Sequence, residues 1–73
     1  MNQVSQFLEN QTDEFLKVCF DELEAFRTSG ILPNESEVRK LNEQFFNNNP
    51  STLFSLGESI YREIAKRYFA NKP

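Results

Sequence analysis

The chain has 73 residues and a net charge of −3, with eight phenylalanines, two tyrosines, one cysteine and no histidine. This length allows a single small domain over residues 1–73, and the lone Cys19 excludes both an internal disulfide and a cysteine–histidine zinc site. Without a histidine base for a cysteine nucleophile or a glycine-rich phosphate loop, the composition predicts a non-catalytic protein with no metal and no cofactor.

The expected location of the protein follows from three features of the sequence. The first six residues lack a basic segment followed by an apolar run, which argues against a secretory signal. No apolar stretch approaches the roughly 20 residues that a membrane span needs. An unpaired cysteine is typical of a reducing compartment. We therefore expect a soluble cytoplasmic protein that does not enter a membrane.

The first predicted element is one long helix over about residues 3–29. Its apolar residues recur at helical spacing without a change of phase, and they are Val4, Leu8, Phe15, Cys19 and Phe26. Gly30 is suited to end this helix in a left-handed conformation. An alternative is that Thr12 caps a new helix and that residues 3–9 form a separate arm, which packs on a neighbouring molecule.

A second, shorter helix is predicted over about residues 35–46. Asn34 is placed to cap its first turn, and Glu37 can reach back to the Asn34 backbone as in a capping box. The asparagines that follow Phe46 favour a turn, and the residue before a proline avoids the helical region. The second helix is therefore expected to end at Phe46 or Asn47.

The third predicted helix covers about residues 50–70, with Asn49 as its cap and Pro50 at its first position. Gly57 lies inside its apolar arc, which indicates either the close approach of another helix or a tolerated glycine. No segment alternates apolar and polar residues with the period of a strand. The sequence thus predicts an all-α fold, a small three-helix bundle in which the Cys19 thiol is buried.

Charge is distributed unevenly along the chain. Residues 1–37 contain eight acidic and two basic side chains, whereas residues 38–73 contain three acidic and six basic ones. Such a distribution suits head-to-tail contact between chains or an acidic surface offered to a basic partner. The alternative is that both sets of charges lie on solvated helix faces.

The apolar arcs of the first and third helices are wider than a simple bundle requires. At 100° per residue each arc spans about 220°, which is well beyond the stripe that a surface helix buries. Four aromatic residues are hard to place in one small core: Phe20, Phe46, Tyr68 and Phe69. Exposed aromatic clusters mark interfaces. We therefore predict a protein–protein interaction module, a homodimer that regulates or inhibits a larger partner. The alternative is that tight wrapping of the helices buries these arcs entirely.

A second functional hypothesis concerns the basic end of the third helix. Arg62, Lys66 and Arg67 lie beside aromatic residues and are of the type that binds phosphates and bases. The same residues also suit intrahelical ion pairs, because Glu58 precedes Arg62 and Glu63 precedes Arg67 by four positions. The chain is acidic overall, unlike most nucleic-acid-binding domains. We therefore rank nucleic-acid binding below protein binding.

Overall fold

A computed structural model describes residues 3–70 as four α-helices with a 3₁₀ turn before the last. The helices are α1 (Gln3–Glu9), α2 (Asp13–Ser29), α3 (Glu37–Phe46) and α4 (Leu53–Ala70), and the 3₁₀ turn covers Pro50–Thr52. The described part of the chain contains no strand. The all-α prediction and the small helical bundle are therefore confirmed.

The prediction of one long helix over residues 3–29 is wrong, because one helix ends at Glu9 and a second helix begins at Asp13. Thr12 is extended, and its hydroxyl accepts a hydrogen bond of 3.1 Å from the Phe15 backbone N–H. This cap, followed by two acidic residues in the first turn, starts a new helix in spite of the unbroken apolar phase. The resulting α1 packs on α4 of the same chain.

The predicted start of the second helix at residue 35 is also corrected. Ser36, not Asn34, is the N-cap of α3, and its hydroxyl accepts a hydrogen bond from the Arg39 backbone N–H. The Glu22 carboxylate reaches across from α2 and accepts 3.0 Å hydrogen bonds from the N–H groups of Glu37 and Val38. Glu22 therefore completes the capping of α3, a role that the capping-box pattern assigned to a residue of the helix itself.

The remaining helix ends follow the prediction closely. Gly30 adopts a φ of 77° and donates a 2.7 Å hydrogen bond from its N–H to the Phe26 carbonyl. Helix α3 ends at Phe46, and Asn47 follows it in the left-handed conformation. Asn49 caps the 3₁₀ turn that begins with Pro50 and leads directly into α4.

The core is formed by all four helices and the loop before α3. Its buried apolar members are Val4, Leu8, Leu16, Cys19, Leu23, Leu32, Val38, Leu41, Leu56 and Ile60. The one amide among them, Asn42, is satisfied because it donates to the Asn49 carbonyl and accepts from the Thr52 hydroxyl. These bonds fix the turn between α3 and α4, and with it the direction of α4 across the bundle.

The helices α2 and α4 run antiparallel along one side of the molecule. Asp13 pairs with Arg67 at one end of the two helices, and Leu23 faces Gly57 towards the other end. A Cβ atom on Gly57 would lie 3.4 Å from a terminal methyl of Leu23, which is ordinary van der Waals contact, so Gly57 is a tolerated glycine and not one that a close helix approach requires. This pairing of α2 with α4 creates the surface described next.

Candidate interaction surface

The outer side of the α2–α4 pair presents two neighbouring apolar grooves. The first lies near the start of α2 and is lined by Asp13, Leu16, Lys17, Phe20, Ile64, Arg67 and Tyr68. The second lies near the start of α4 and is lined by Leu23, Phe26, Arg27, Leu53, Phe54, Gly57, Glu58 and Tyr61. The Phe20 and Tyr61 rings meet edge to face, 5.8 Å apart. We call the surface formed by Phe20, Phe54, Tyr61, Tyr68 and Phe69 the α2–α4 face.

Three aromatic rings of the α2–α4 face are largely open to solvent. Phe54 is 79% exposed, Tyr68 59% and Phe69 68%. Phe54 lies in the first turn of α4, whereas Tyr68 and Phe69 lie in its last turn with their rings 5.4 Å apart and nearly perpendicular. Rings of this size contribute large apolar areas when they are buried, so their exposure at both ends of one helix is unusual for an isolated small domain.

The structure brings three of the four predicted interface residues to the α2–α4 face. Phe20 and Tyr68 line the same groove, and Phe69 contacts Tyr68. Phe46 lies elsewhere, half-buried against the core at the end of α3. Part of the wide apolar arc predicted for the first helix is buried within the molecule, because Phe7 of α1 packs edge-on against both Phe15 and Phe45.

Phe54 is not singled out by the sequence analysis, although the structure places its exposed ring on the α2–α4 face. Its signal is present in the sequence, since Phe54, Tyr61 and Tyr68 recur every seven residues and therefore form one stripe along α4. The core of the bundle uses a different stripe, which contains Leu56 and Ile60. The two stripes adjoin, so α4 has one apolar arc that is wider than the bundle needs.

Two of the three basic residues of the nucleic-acid hypothesis form ion pairs with other residues of the same chain. Arg67 forms 2.8 Å ion pairs with Glu63 and Asp13, and Lys66 forms a 2.9 Å ion pair with Glu9. Lys66 also pairs with Glu63 at 3.1 Å. The hydrogen bonds that Lys66 and Arg67 make with these carboxylates raise the pKa of both cations. Two ion pairs, Lys66 with Glu9 and Arg67 with Asp13, thus join the basic C-terminal half to the acidic N-terminal half within one molecule.

Arg62 is the remaining residue of that hypothesis, and it is exposed on the outer side of α4. Within residues 3–70 its guanidinium makes no hydrogen bond or ion pair, and the same is true of the Glu58 carboxylate one turn earlier. One free arginine supplies a single phosphate contact, which is much less than nucleic-acid affinity requires. Nucleic-acid binding therefore stays a prediction with no structural observation in its favour.

Cys19 lies in the core, as the sequence predicts, and has no exposed surface. Burial of the thiol, together with the negative charges of Glu22 and Glu37, raises the pKa of Cys19 to about 12. The thiolate is the reactive species, so this environment suppresses its nucleophilicity and its affinity for metals. The raised pKa is opposite to the change that a catalytic cysteine requires.

Neither a metal site, nor a membrane-spanning helix, nor a similar protein indicates a function for the described residues. Residues 3–70 contain no cluster of three or more Cys, Asp or Glu side chains arranged to hold a metal ion. None of the described helices is both long and apolar enough to cross a membrane. Comparison with protein-family models, curated proteins and solved structures found no match. The α2–α4 face is therefore the feature from which a function is argued.

Proposed function

We propose that the protein is a small non-catalytic interaction module that self-associates through the α2–α4 face and regulates or inhibits a larger protein. The observation that carries this proposal is the exposure of Phe54, Tyr68 and Phe69 along one side of α4. Aromatic residues are enriched at the centres of protein interfaces, where they lose the most solvent contact. Covering this face removes three large rings from water.

The charge arrangement around the α2–α4 face supports binding by apolar contact. Lys66 and Arg67 already form ion pairs with Glu9 of α1 and Asp13 of α2. Apolar side chains form most of the lining of both grooves between α2 and α4, and charged side chains form the rest. A mainly apolar contact that also contains charged groups is common in protein interfaces.

The self-association is tested by sedimentation equilibrium of the wild-type protein and two matched variants. Phe69→Glu places a charge in the α2–α4 face and should give a monomer that keeps its helical circular dichroism spectrum. Val18→Glu is the control, because Val18 is an exposed apolar residue on the side of α2 away from Phe20. A wild-type protein that remains monomeric at hundreds of micromolar would contradict the proposal.

The regulatory part of the proposal requires a larger partner. The unpaired Cys19 thiol suits a reducing compartment, and we propose the cytoplasm as the place where this partner is met. Affinity capture from host cells should enrich one protein with the wild type and Val18→Glu but not with Phe69→Glu. Equal capture by all three proteins would show that binding of this partner requires neither the α2–α4 face nor the dimer.

A further inference from the structure

We propose that the self-association is an antiparallel pairing of α4 with α4 of a second copy, in which Glu58 of one protomer meets Arg62 of the other. This inference rests on the proposed function and specifies the partner and the geometry of the same surface. It is carried by two independent features of α4, which are the spacing of its exposed rings and the position of its unpaired charges.

The rings on the outer stripe of α4 are symmetric about its middle. Phe54 and Tyr68 each lie seven residues from Tyr61, which corresponds to about 10 Å along the helix axis on either side. When a second α4 is placed antiparallel with the two Tyr61 residues at a twofold axis, Phe54 of each protomer faces Tyr68 of the other. Phe69, beside Tyr68, extends the same contact. All the exposed rings of α4 are then covered.

The unpaired charges of α4 have nearly the same midpoint. Glu58 and Arg62 are symmetric about Ile60, one residue from the midpoint of the ring pattern. In the antiparallel arrangement each Glu58 lies within about 3 Å along the axis of Arg62 on the other helix, a displacement that these long side chains absorb. A twofold dimer therefore contains two such ion pairs. They give partners to the two charges of α4 that lack one within the described chain.

The same charges disfavour the other way of pairing two copies of α4. In a parallel arrangement Glu58 and Arg62 of one copy would lie level with the same residues of the other copy but on the opposite side of the contact, so no Glu58–Arg62 ion pair could form. An antiparallel copy of α4 offers a negative charge to Arg62 and a positive charge to Glu58. A strongly acidic partner would repel Glu58, and a strongly basic partner would repel Arg62, so a second copy of the chain is the favoured partner. The pattern of charge thus selects both the occupant and its direction.

The middle of the stripe permits close approach of the two helices. Ala65 follows Tyr61 by one turn and has a small side chain, which leaves space for the larger groups of the second helix. The Tyr61 hydroxyl donates a 2.6 Å hydrogen bond to the Glu24 carboxylate of its own chain. Its ring edge is therefore fixed against Phe20. The centre of the contact is preorganised, so little conformational freedom is lost there on dimerisation.

The proposal is tested by charge reversal measured by sedimentation equilibrium. Glu58→Arg and Arg62→Glu each convert two attractive contacts of the dimer into repulsive ones, and each should raise the dimer dissociation constant by about tenfold. The double variant Glu58→Arg/Arg62→Glu restores opposite charges and should return to within about threefold of the wild-type value. An equimolar mixture of the two single variants should associate more tightly than either variant alone. Thermal unfolding checks that all variants fold.

Each outcome of this experiment distinguishes the geometry from the proposed function. If the wild type dimerises but neither single variant changes the dissociation constant, the charges do not meet and the α4 pairing is wrong, whereas self-association stands. If both single variants weaken the dimer but neither the double variant nor the mixture recovers it, the antiparallel register is wrong. A wild-type monomer would overturn the proposed self-association itself.

Discussion

The Arg67 guanidinium and the Gln11 backbone carbonyl are joined by a hydrogen bond of 2.7 Å, although 56 residues separate them along the chain. The same guanidinium donates to the Leu8 carbonyl and forms ion pairs with Asp13 and Glu63. Arg67 therefore satisfies backbone carbonyls at the end of α1 and binds the turn between α1 and α2 to α4. A helix of seven residues has no stability by itself, so this anchor helps to keep α1 in place.

Replacement of Arg67 by methionine should lower the free energy of unfolding by about 2 kcal/mol. The methionine retains much of the apolar stem but leaves several carbonyl groups and one oxygen of the buried Glu63 carboxylate without their donor, although Lys66 still meets the other oxygen. Urea titration measures the loss, and faster hydrogen exchange of the α1 amides would locate it. The control is Lys40→Met, which removes an exposed ion pair with Glu37 and should cost less than about 0.5 kcal/mol.

The stability of the protein should depend on the ionisation of Glu63. Burial alone would raise the pKa of this carboxyl, but the hydrogen bonds and charges of Arg67 and Lys66 outweigh it and hold the pKa below its ordinary value of 4.5. A lowered pKa in the folded state means that ionised Glu63 stabilises the fold at neutral pH. This stabilisation begins to fall as the pH drops to about 4.5 and is lost once the pH passes below the folded-state pKa.

Glu63→Gln tests this linkage, because glutamine does not ionise. The variant should be less stable than the wild type at pH 7, and the difference should shrink as the pH falls from 5 to 3. The matched control, Glu43→Gln, changes an exposed side chain that makes no ion pair within the described residues, and it should follow the wild-type profile. A constant difference between Glu63→Gln and the wild type at all pH values would contradict the assignment.

The sequence predicts the fold where local chemistry decides the structure. Gly30, Asn47 and Asn49 end or begin helices as expected, since each side chain or backbone acts on its own neighbours. The errors arise where two signals compete or where the chain acts over a distance. At Thr12 the cap overrides the unbroken apolar phase, and at α3 the first N–H groups are satisfied by Glu22 from another helix. Such a cross-helix cap has no signature in local sequence.

The candidate site shows the same division between local and distant effects. The excess width of the apolar arc on α4 correctly indicates exposed rings at Tyr68 and Phe69. Phe46 lies away from this surface instead, half-buried against the core at the end of α3. Arg67 was grouped with Arg62 by spacing alone, yet its guanidinium is committed to α1 and α2. Whether a basic side chain of α4 stays free at the surface or pairs with α1 and α2 depends on how α4 lies across the bundle, which the spacing of residues along α4 does not show.

Gly57→Ala should raise the free energy of unfolding by about 0.5–1 kcal/mol. Glycine is unfavourable inside a helix because the unfolded chain has more conformational freedom to lose. The added Cβ would lie 3.4 Å from a methyl of Leu23, which is ordinary van der Waals contact with the flexible end of a side chain. Thermal unfolding measures the change. A destabilised Gly57→Ala variant would mean that α2 and α4 have no room for even one methyl group.

The wild-type protein should give no gel shift with duplex or single-stranded DNA, even at low salt. Lys66 and Arg67 would have to break internal ion pairs to contact phosphates, which leaves Arg62 as the cation available on the described part of α4. Arg62→Gln is the informative variant, because its loss does not disturb these internal pairs. Salt-sensitive binding by the wild type that is weakened by Arg62→Gln would instead support a nucleic-acid function.

Cys19 should react slowly with thiol reagents in the folded protein and rapidly in denaturant. The side chain has no exposed surface, and its pKa is raised to about 12 by burial and by the nearby charges of Glu22 and Glu37. Few molecules therefore carry the reactive thiolate at neutral pH, so labelling requires unfolding. Labelling is followed by mass spectrometry at increasing urea concentration. Rapid labelling of the native state would show that the thiol is accessible and that the core is not closed around it.

Two substitutions at Cys19 distinguish a packing role from a chemical one. Cys19→Ala removes one buried atom and should cost about 1 kcal/mol through a small cavity. Cys19→Ser should cost more, because it buries a hydroxyl in apolar surroundings. Both variants should self-associate as the wild type does, since Cys19 lies in the core and not on the α2–α4 face. A folded Cys19→Ala variant that no longer self-associates would assign the thiol a direct part in binding.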